Sequence, residues 1–218
     1  LPIESIDKEV CEKALVLVAS GGGGTSYVYL GGFELLEQFN LVPRLLAGAS
    51  MGAVLLLFRA RKPRFHPEEV ADTMRSLSMK TIFRFLQTES RYGLPATTRL
   101  YLRAGLSDLL RGPDGHPLML GELAIPLIVS LGGIRNGALP RDPNYYAHLV
   151  DFQERLPAPH ALAKKLGEVM GMLAEFITQR DRMVRIYLGV DEETRQWDCI
   201  DAVGFSCAVP GVIHYDVL

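Results

Sequence analysis

Apolar residues fall along this chain in two signatures: short unbroken runs, and longer stretches that return every three to four positions. The run Ala14–Ala19, ALVLVA, is short and uninterrupted and empties into four glycines, which predicts a buried strand ending in a loop. Tyr27 to Asn40 follows with Leu30, Phe33, Leu36 and Phe39 spaced by three, a helical face to pack on a sheet. The pair then repeats. LVPRLLAGAS, residues 41–50, predicts a second strand, and GAVLLLFRARK, residues 52–62, the start of a second helix. Two strand-loop-helix units in succession predict an α/β sandwich with a largely parallel sheet, because parallel strands need a crossover to bring the chain back.

Later periodicities are less regular. Pro67–Thr88 reads as a helix carrying Val70, Met74, Leu77, Ile82 and Phe85 on one face, interrupted by GLPATT, with a further helix over Arg99–Leu110 before the turn RGPDGHP. Leu123–Gly133 reads as a core strand with a proline near its start. A polar connection from Asn136 to Pro159 contains the Tyr145–Tyr146 pair. An amphipathic helix over Ala161–Arg180 then places Leu162, Leu166, Val169, Met170, Leu173, Phe176 and Ile177 on one side. MVRIYLGV and RQWDCIDAV read as strand material around the acidic turn DEET, and small and apolar residues surround Pro210–Gly211 at the end.

Composition narrows the class. With 48% hydrophobic and 22% charged residues, 218 residues suit one compact domain. Lys plus Arg number 23 against 25 Asp plus Glu, a net charge of -2, so the basic excess that phosphate contacts require is absent and nucleic acid is not an expected partner. Cys11, Cys199 and Cys207 make neither a disulfide framework nor a CxxC pair, which fits a reducing compartment. The uncharged stretch Leu45–Phe58 is 14 residues long, short of the roughly 18 of a spanning helix, and reads as a buried strand, turn and helix start. The chain opens on Leu1 without a basic segment leading into a hydrophobic one, so it is expected to be a piece of a longer polypeptide.

Two glycine-bearing turns carry the chemistry. Gly48-Ala49-Ser50-Met51-Gly52 is a GxSxG pentapeptide between a predicted strand and a predicted helix. Its glycines permit a tight turn that leaves the Ser50 hydroxyl at a helix N-terminus, the setting of a nucleophile. Gly21-Gly22-Gly23-Gly24-Thr25-Ser26 lies in the same context, and successive glycine amides can converge on one anion. A phosphate loop, an oxyanion hole and a plain structural turn all fit that description. The phosphate reading lacks a Walker lysine and a clean GxGxxG, whereas the oxyanion reading gains from Ser50. Neither HExxH nor a spaced Cys/His cluster occurs, so no metal is expected, and Asp191-Glu192-Glu193 reads as a solvated turn. Arg59, Arg61, Lys62 and Arg64 read as a solvated helix terminus, with attraction of anionic headgroups as the alternative. The Ala161–Arg180 helix reads as packing on the domain, with an interfacial lid as the alternative. Trp197 and the Tyr145–Tyr146 pair read as packing or as the edge of a membrane contact.

Together these motifs resemble the patatin-like phospholipase family, whose N-terminal pattern is a strand, a GGGxRG loop, a helix, a strand and a GxSxG elbow. Gly21-Gly22-Gly23, Leu30-Gly31, Gly48-Ala49-Ser50-Met51-Gly52 and the segment Phe205-Ser206-Cys207-Ala208-Val209-Pro210-Gly211-Val212 match it in order across almost the whole chain. The resemblance implies an α/β three-layer sandwich around a central, largely parallel sheet, forming one domain over residues 1–218 that is incomplete on its C-terminal side. Residues 136–180 form a helical insertion within it. It implies Ser50 as nucleophile in an elbow of Gly48, Ala49, Met51 and Gly52, oxyanion donors at Gly22 and Gly23, no cofactor, and hydrolysis of lipid or phospholipid esters. It also implies a cytoplasmic or peripheral membrane location. Two departures stand out. Thr25 and Ser26 replace the family's Arg and Gly. The family's catalytic aspartate, in a DG[GA] motif, has no counterpart, leaving Asp216 as a weak substitute and placing the motif's own aspartate beyond Leu218 or in an omitted segment. Three alternatives follow: a Ser-His-acid triad using His214, a catalytically inactive interaction domain on the same fold, and an acyltransferase using the same serine.

Overall fold

The apolar runs become strands of two sheets in the computed structural model, which describes residues 2–76, 79–85, 96–135, 138, 141–142, 144–146, 159–178 and 180–217. The first sheet holds β1 (Val16–Ala19), β2 (Leu45–Ala49), β5 (Leu127–Ile134) and β6 (Met183–Leu188) in that order; the second holds β3 (Phe83–Phe85), β4 (Ala96–Leu100) and β7 (Gly211–Tyr215). Both are mixed rather than largely parallel. β2 runs parallel to β1 and to β5, but β6 runs antiparallel to β5; β7 is parallel to β4 and β3 antiparallel to it. The cause at the β6 edge is visible in the register: Ile134 lies opposite Met183, so the connection between the two strands leaves and re-enters at one end and sends β6 back along β5.

Helix α3 (Met51–Ala60) is apolar nearly all round and buried from Gly52 to Ala60, a central helix rather than a surface one. It packs on β2 and against α9 (Cys199–Cys207), which lies on β5, and Leu46, Leu55, Leu56, Leu57, Leu127, Val129 and Ile200 close the core between them. A bare face remains at the edge strand, where Val18 is 74% exposed.

Helix α2 (Val28–Gln38) buries Phe33 and partly buries Leu30 and Leu36 as its spacing predicts, but Phe39 lies just past its end and is 68% exposed. The helix expected over Pro67–Thr88 is instead α4 (Pro67–Ser76), a short α5 (Met79–Ile82) and then β3; Thr88 lies outside the described residues. Arg99 belongs to a strand, β4, whose Ala96, Thr98 and Leu100 are buried in period-two alternation, and only Arg103–Leu106, α6, turns helical after it.

RQWDCIDAV is not a strand. Asp191 caps α8 (Glu192–Arg195) by accepting from the Thr194 amide, and Asp198 caps α9 by accepting from the amides of Ile200 at 2.7 Å and Asp201 at 3.2 Å. The N-terminal helix α1 (Ile3–Cys11) was not legible as an apolar run.

Of the 136–180 stretch, 136–137, 139–140, 143, 147–158 and 179 lie outside the described residues, and α7 (Pro159–Thr178) is its main element. Val169, on the expected stripe, turns inward with Met172 and Tyr146, while Met170 is 62% exposed; the side chains of Leu162, Leu166, Phe176 and Ile177 lie outside those described. Met172 fills the space above Gly211, whose φ of 73° and lack of a Cβ admit it. Tyr145 meets the Tyr146 ring edge-on and carries the Arg141 guanidinium over its face; Trp197 meets Phe205 edge-on.

The basic cluster at the end of α3 is solvated only in part, with Lys62 and Arg64 exposed and Arg59 and Arg61 largely buried. Arg59 is fully buried and donates to the Lys62 and Pro63 carbonyls, with Glu37 of α2 at 3.7 Å; Arg61 and Lys62 pair with Glu69, and Arg64 reaches Glu37 at 3.6 Å. Burial lowers the Arg59 pKa, against the pull of Glu37.

Candidate active site

Ser50 stands where β2 turns into α3, at φ 51° and ψ -136°, a conformation that non-glycine residues rarely adopt. The sequence makes this turn possible through its glycines. A Cβ on Gly48 would sit 2.7 Å from the Ala53 Cα, and one on Gly52 would collide with the backbone carbonyls of Ala19 and Ser20 at the end of β1. Those two close approaches press the turn between the first helix turn of α3 and the neighbouring strand.

The glycine loop lies against the same residue. A Cβ on Gly21 would be 2.8 Å from the Ser50 Cβ and 3.4 Å from its Oγ, so Gly21 and Ser50 are in direct contact. Gly22 follows at φ 172° and ψ 12°, and Gly23, at φ 55°, turns the chain into the 3-10 turn Gly23–Tyr27. Thr25 donates from Oγ1 to the Gly22 carbonyl at 2.8 Å and from its amide to the same oxygen at 3.3 Å; a Gly22 Cβ would meet Thr25 Oγ1 at 2.9 Å and the buried Ser26 Oγ at 3.2 Å. The two residues that depart from the GGGxRG pattern thus fold back on Gly22 and close the loop.

The C-terminal end of α9 completes the surroundings. The Ser50 amide donates to Ser206 Oγ at 2.8 Å, and the Ser206 hydroxyl donates to the Ser130 carbonyl of β5 at 2.6 Å. Cys207 is buried, and burial pushes its thiol up to about 11, with the Ser50 side chain acting in the opposite direction. Cys199 and Cys207 are both free thiols. Sequence reasoning matched the 205–212 segment to the family pattern but missed these contacts, because a serine and a cysteine within a helix carry no signal naming partners far along the chain.

Asp216 and His214 lie on the other sheet. Asp216, 5% exposed, pairs with Arg99 of β4 at 3.0 Å, and its amide donates to the Leu100 carbonyl; His214 is buried on β7 opposite Arg99. Toward the N-terminal end of α9, Arg103 bridges Asp198 at 3.0 Å and Asp201 at 2.7 Å, while the Tyr215 hydroxyl donates to Asp201 at 2.6 Å. Burial alone would lower the Arg103 pKa, but the two carboxylates raise it above its ordinary value; burial and Asp201 push the Tyr215 phenol up. Among the described residues no group of three or more His, Cys, Asp or Glu could hold a metal ion, and no helix is long and apolar enough to cross a membrane.

Compared with known proteins, the family described as Patatin-like phospholipase matches residues 17–216. No curated protein and no solved structure matches.

Proposed function

Because the chain belongs to the patatin-like phospholipase family, a family of lipid hydrolases, we propose that it is a serine acyl hydrolase of lipid esters. Ser50 is the nucleophile, in an elbow of Gly48, Ala49, Met51 and Gly52, and the amides of Gly22 and Gly23 are the oxyanion donors. The observation that carries this reading is the contact of the glycine loop with a serine held at φ 51° at the N-terminus of a buried helix. In the reaction Ser50 Oγ bonds to the ester carbonyl carbon while its proton passes to a base, and the carbonyl oxygen takes the negative charge. Backbone amides next to that position stabilise the charge where it develops, without needing the absent loop arginine. Collapse expels the alcohol, which takes a proton from the protonated base; water then releases the acid and restores the serine. Substrate is met at a peripheral membrane or micelle surface.

For the base, Asp216 is the carboxylate the sequence offered, and its ion pair with Arg99 gives it a structural task in the second sheet. That pairing is also the observation that favours a second reading, an interaction domain on a patatin-like fold. Release of free fatty acid from phospholipid in mixed micelles, lost in Ser50→Ala, is the expected result; a folded protein that releases none overturns the hydrolase reading. Adding an alcohol acceptor separates an acyltransferase, which makes new ester, from a hydrolase, which makes acid alone.

A further inference from the structure

We propose that Ser206 is the positioning residue of the nucleophile, its hydroxyl spliced into the hydrogen-bond ladder between β2 and β5 so that Ser50 is held in its left-handed conformation. This rests on Ser50 being the nucleophile. The ladder itself shows the splice. Leu46 donates its amide to the Pro126 carbonyl at 2.9 Å, with Leu46 opposite Leu127 and Ala49 opposite Ser130. In a parallel pair the donors advance by two residues on one strand as the acceptors advance by two on the other. The series therefore runs from Leu46 and Pro126, through Gly48 and Ile128, to Ser50 and Ser130. At that third step the direct bond is replaced by a relay, Ser50 N–H to Ser206 Oγ at 2.8 Å and Ser206 O–H to Ser130 O at 2.6 Å.

The proton directions are fixed, since an amide only donates and a carbonyl only accepts, so the single hydroxyl proton points to Ser130 and a lone pair faces Ser50. One inserted oxygen lets β2 part from β5 and turn into α3 while both backbone groups stay satisfied. A non-glycine residue at φ 51° persists only where its surroundings over-determine it, and this relay supplies that constraint from a residue 156 positions away.

The test compares Ser206→Thr with Ser206→Val, side chains of matching shape that differ in the hydroxyl. Both are followed by the rate at which a fluorophosphonate adds to Ser50, per folded molecule. The threonine variant is expected within about threefold of wild type and the valine variant about tenfold or more slower, in maximal rate rather than in the probe concentration that half-saturates it. Equal rates in the two folded variants overturn the proposal. Should the valine variant fail to fold, hydrogen exchange in the unaltered protein decides: a Ser50 amide as protected as that of Leu46 supports the relay, and a freely exchanging one overturns it. A wild type that never labels removes the nucleophile reading and this role with it, whereas labelling indifferent to the hydroxyl removes this role alone.

Discussion

Ser50 and Gly21 touch so closely that a single methyl group added at Gly21 would press on the Ser50 side chain. Gly21→Ala places a Cβ 2.8 Å from that of Ser50; we expect it to cut Ser50 labelling about tenfold and to cost about 1–3 kcal/mol, measured by probe kinetics and urea denaturation. Gly23→Ala is the contrast: its φ is 55° with open space around a Cβ, so it costs only the left-handed backbone, about 1 kcal/mol. Cys207 gives a pH prediction. Its folded pKa, about 11, stands above the ordinary 9.0, so between those values the unfolded chain releases a proton the folded one keeps. Stability conferred by this thiol is complete below pH 9 and falls as pH rises toward 11, by about 1.4 kcal/mol per unit. Urea denaturation across that range should show the decline in wild type and a shallower one in Cys207→Ala. The GxSxG serine and the glycine loop were legible because their chemistry is local in sequence. The Ser206–Ser50 bond was not, because it depends on where α9 ends relative to β2.

Elements that bury charge behave differently from those that bury only apolar surface. Arg59 lies at 0% exposure in the last turn of α3, with Glu37 of α2 as its counter-charge and the Phe65 amide also donating to Glu37 at 3.1 Å. Removing the carboxylate leaves a buried cation, so Glu37→Ala should destabilise by about 3 kcal/mol, whereas Arg59→Met, which removes the charge and keeps the volume, should cost far less. On the outer side of α2 a Cβ on Gly31 or Gly32 meets nothing within 4 Å, and each Gly→Ala should raise stability by about 1 kcal/mol in the same denaturation assay. The strand-loop-helix units were legible as runs of apolar residues feeding glycines. RQWDCIDAV was misread because Asp198 acts through its side chain as a helix cap, an effect that outweighs short-range strand pattern. Within the basic cluster Arg59 and Arg61 were misread, because composition shows four cations but not the two glutamates that hold them.

The molecule as a whole carries the proposed nucleophile on one sheet and a buried carboxylate on the other. The first two parallel pairings of the main sheet followed from the sequence, but the antiparallel edges did not, because strand direction at β6 is set by where a long connection re-enters rather than by residue pattern. Asp216→Asn tests how the sheets divide the work: partnership with Arg99 predicts a loss of about 3 kcal/mol with Ser50 labelling per folded molecule retained, and a role as base predicts the reverse. The most direct test of the whole account is reaction of the folded protein with a fluorophosphonate, read by intact mass and by mapping of the adduct. One adduct per chain, located on Ser50 and absent in a folded Ser50→Ala variant, is the predicted result; a folded wild type that stays unmodified would contradict it.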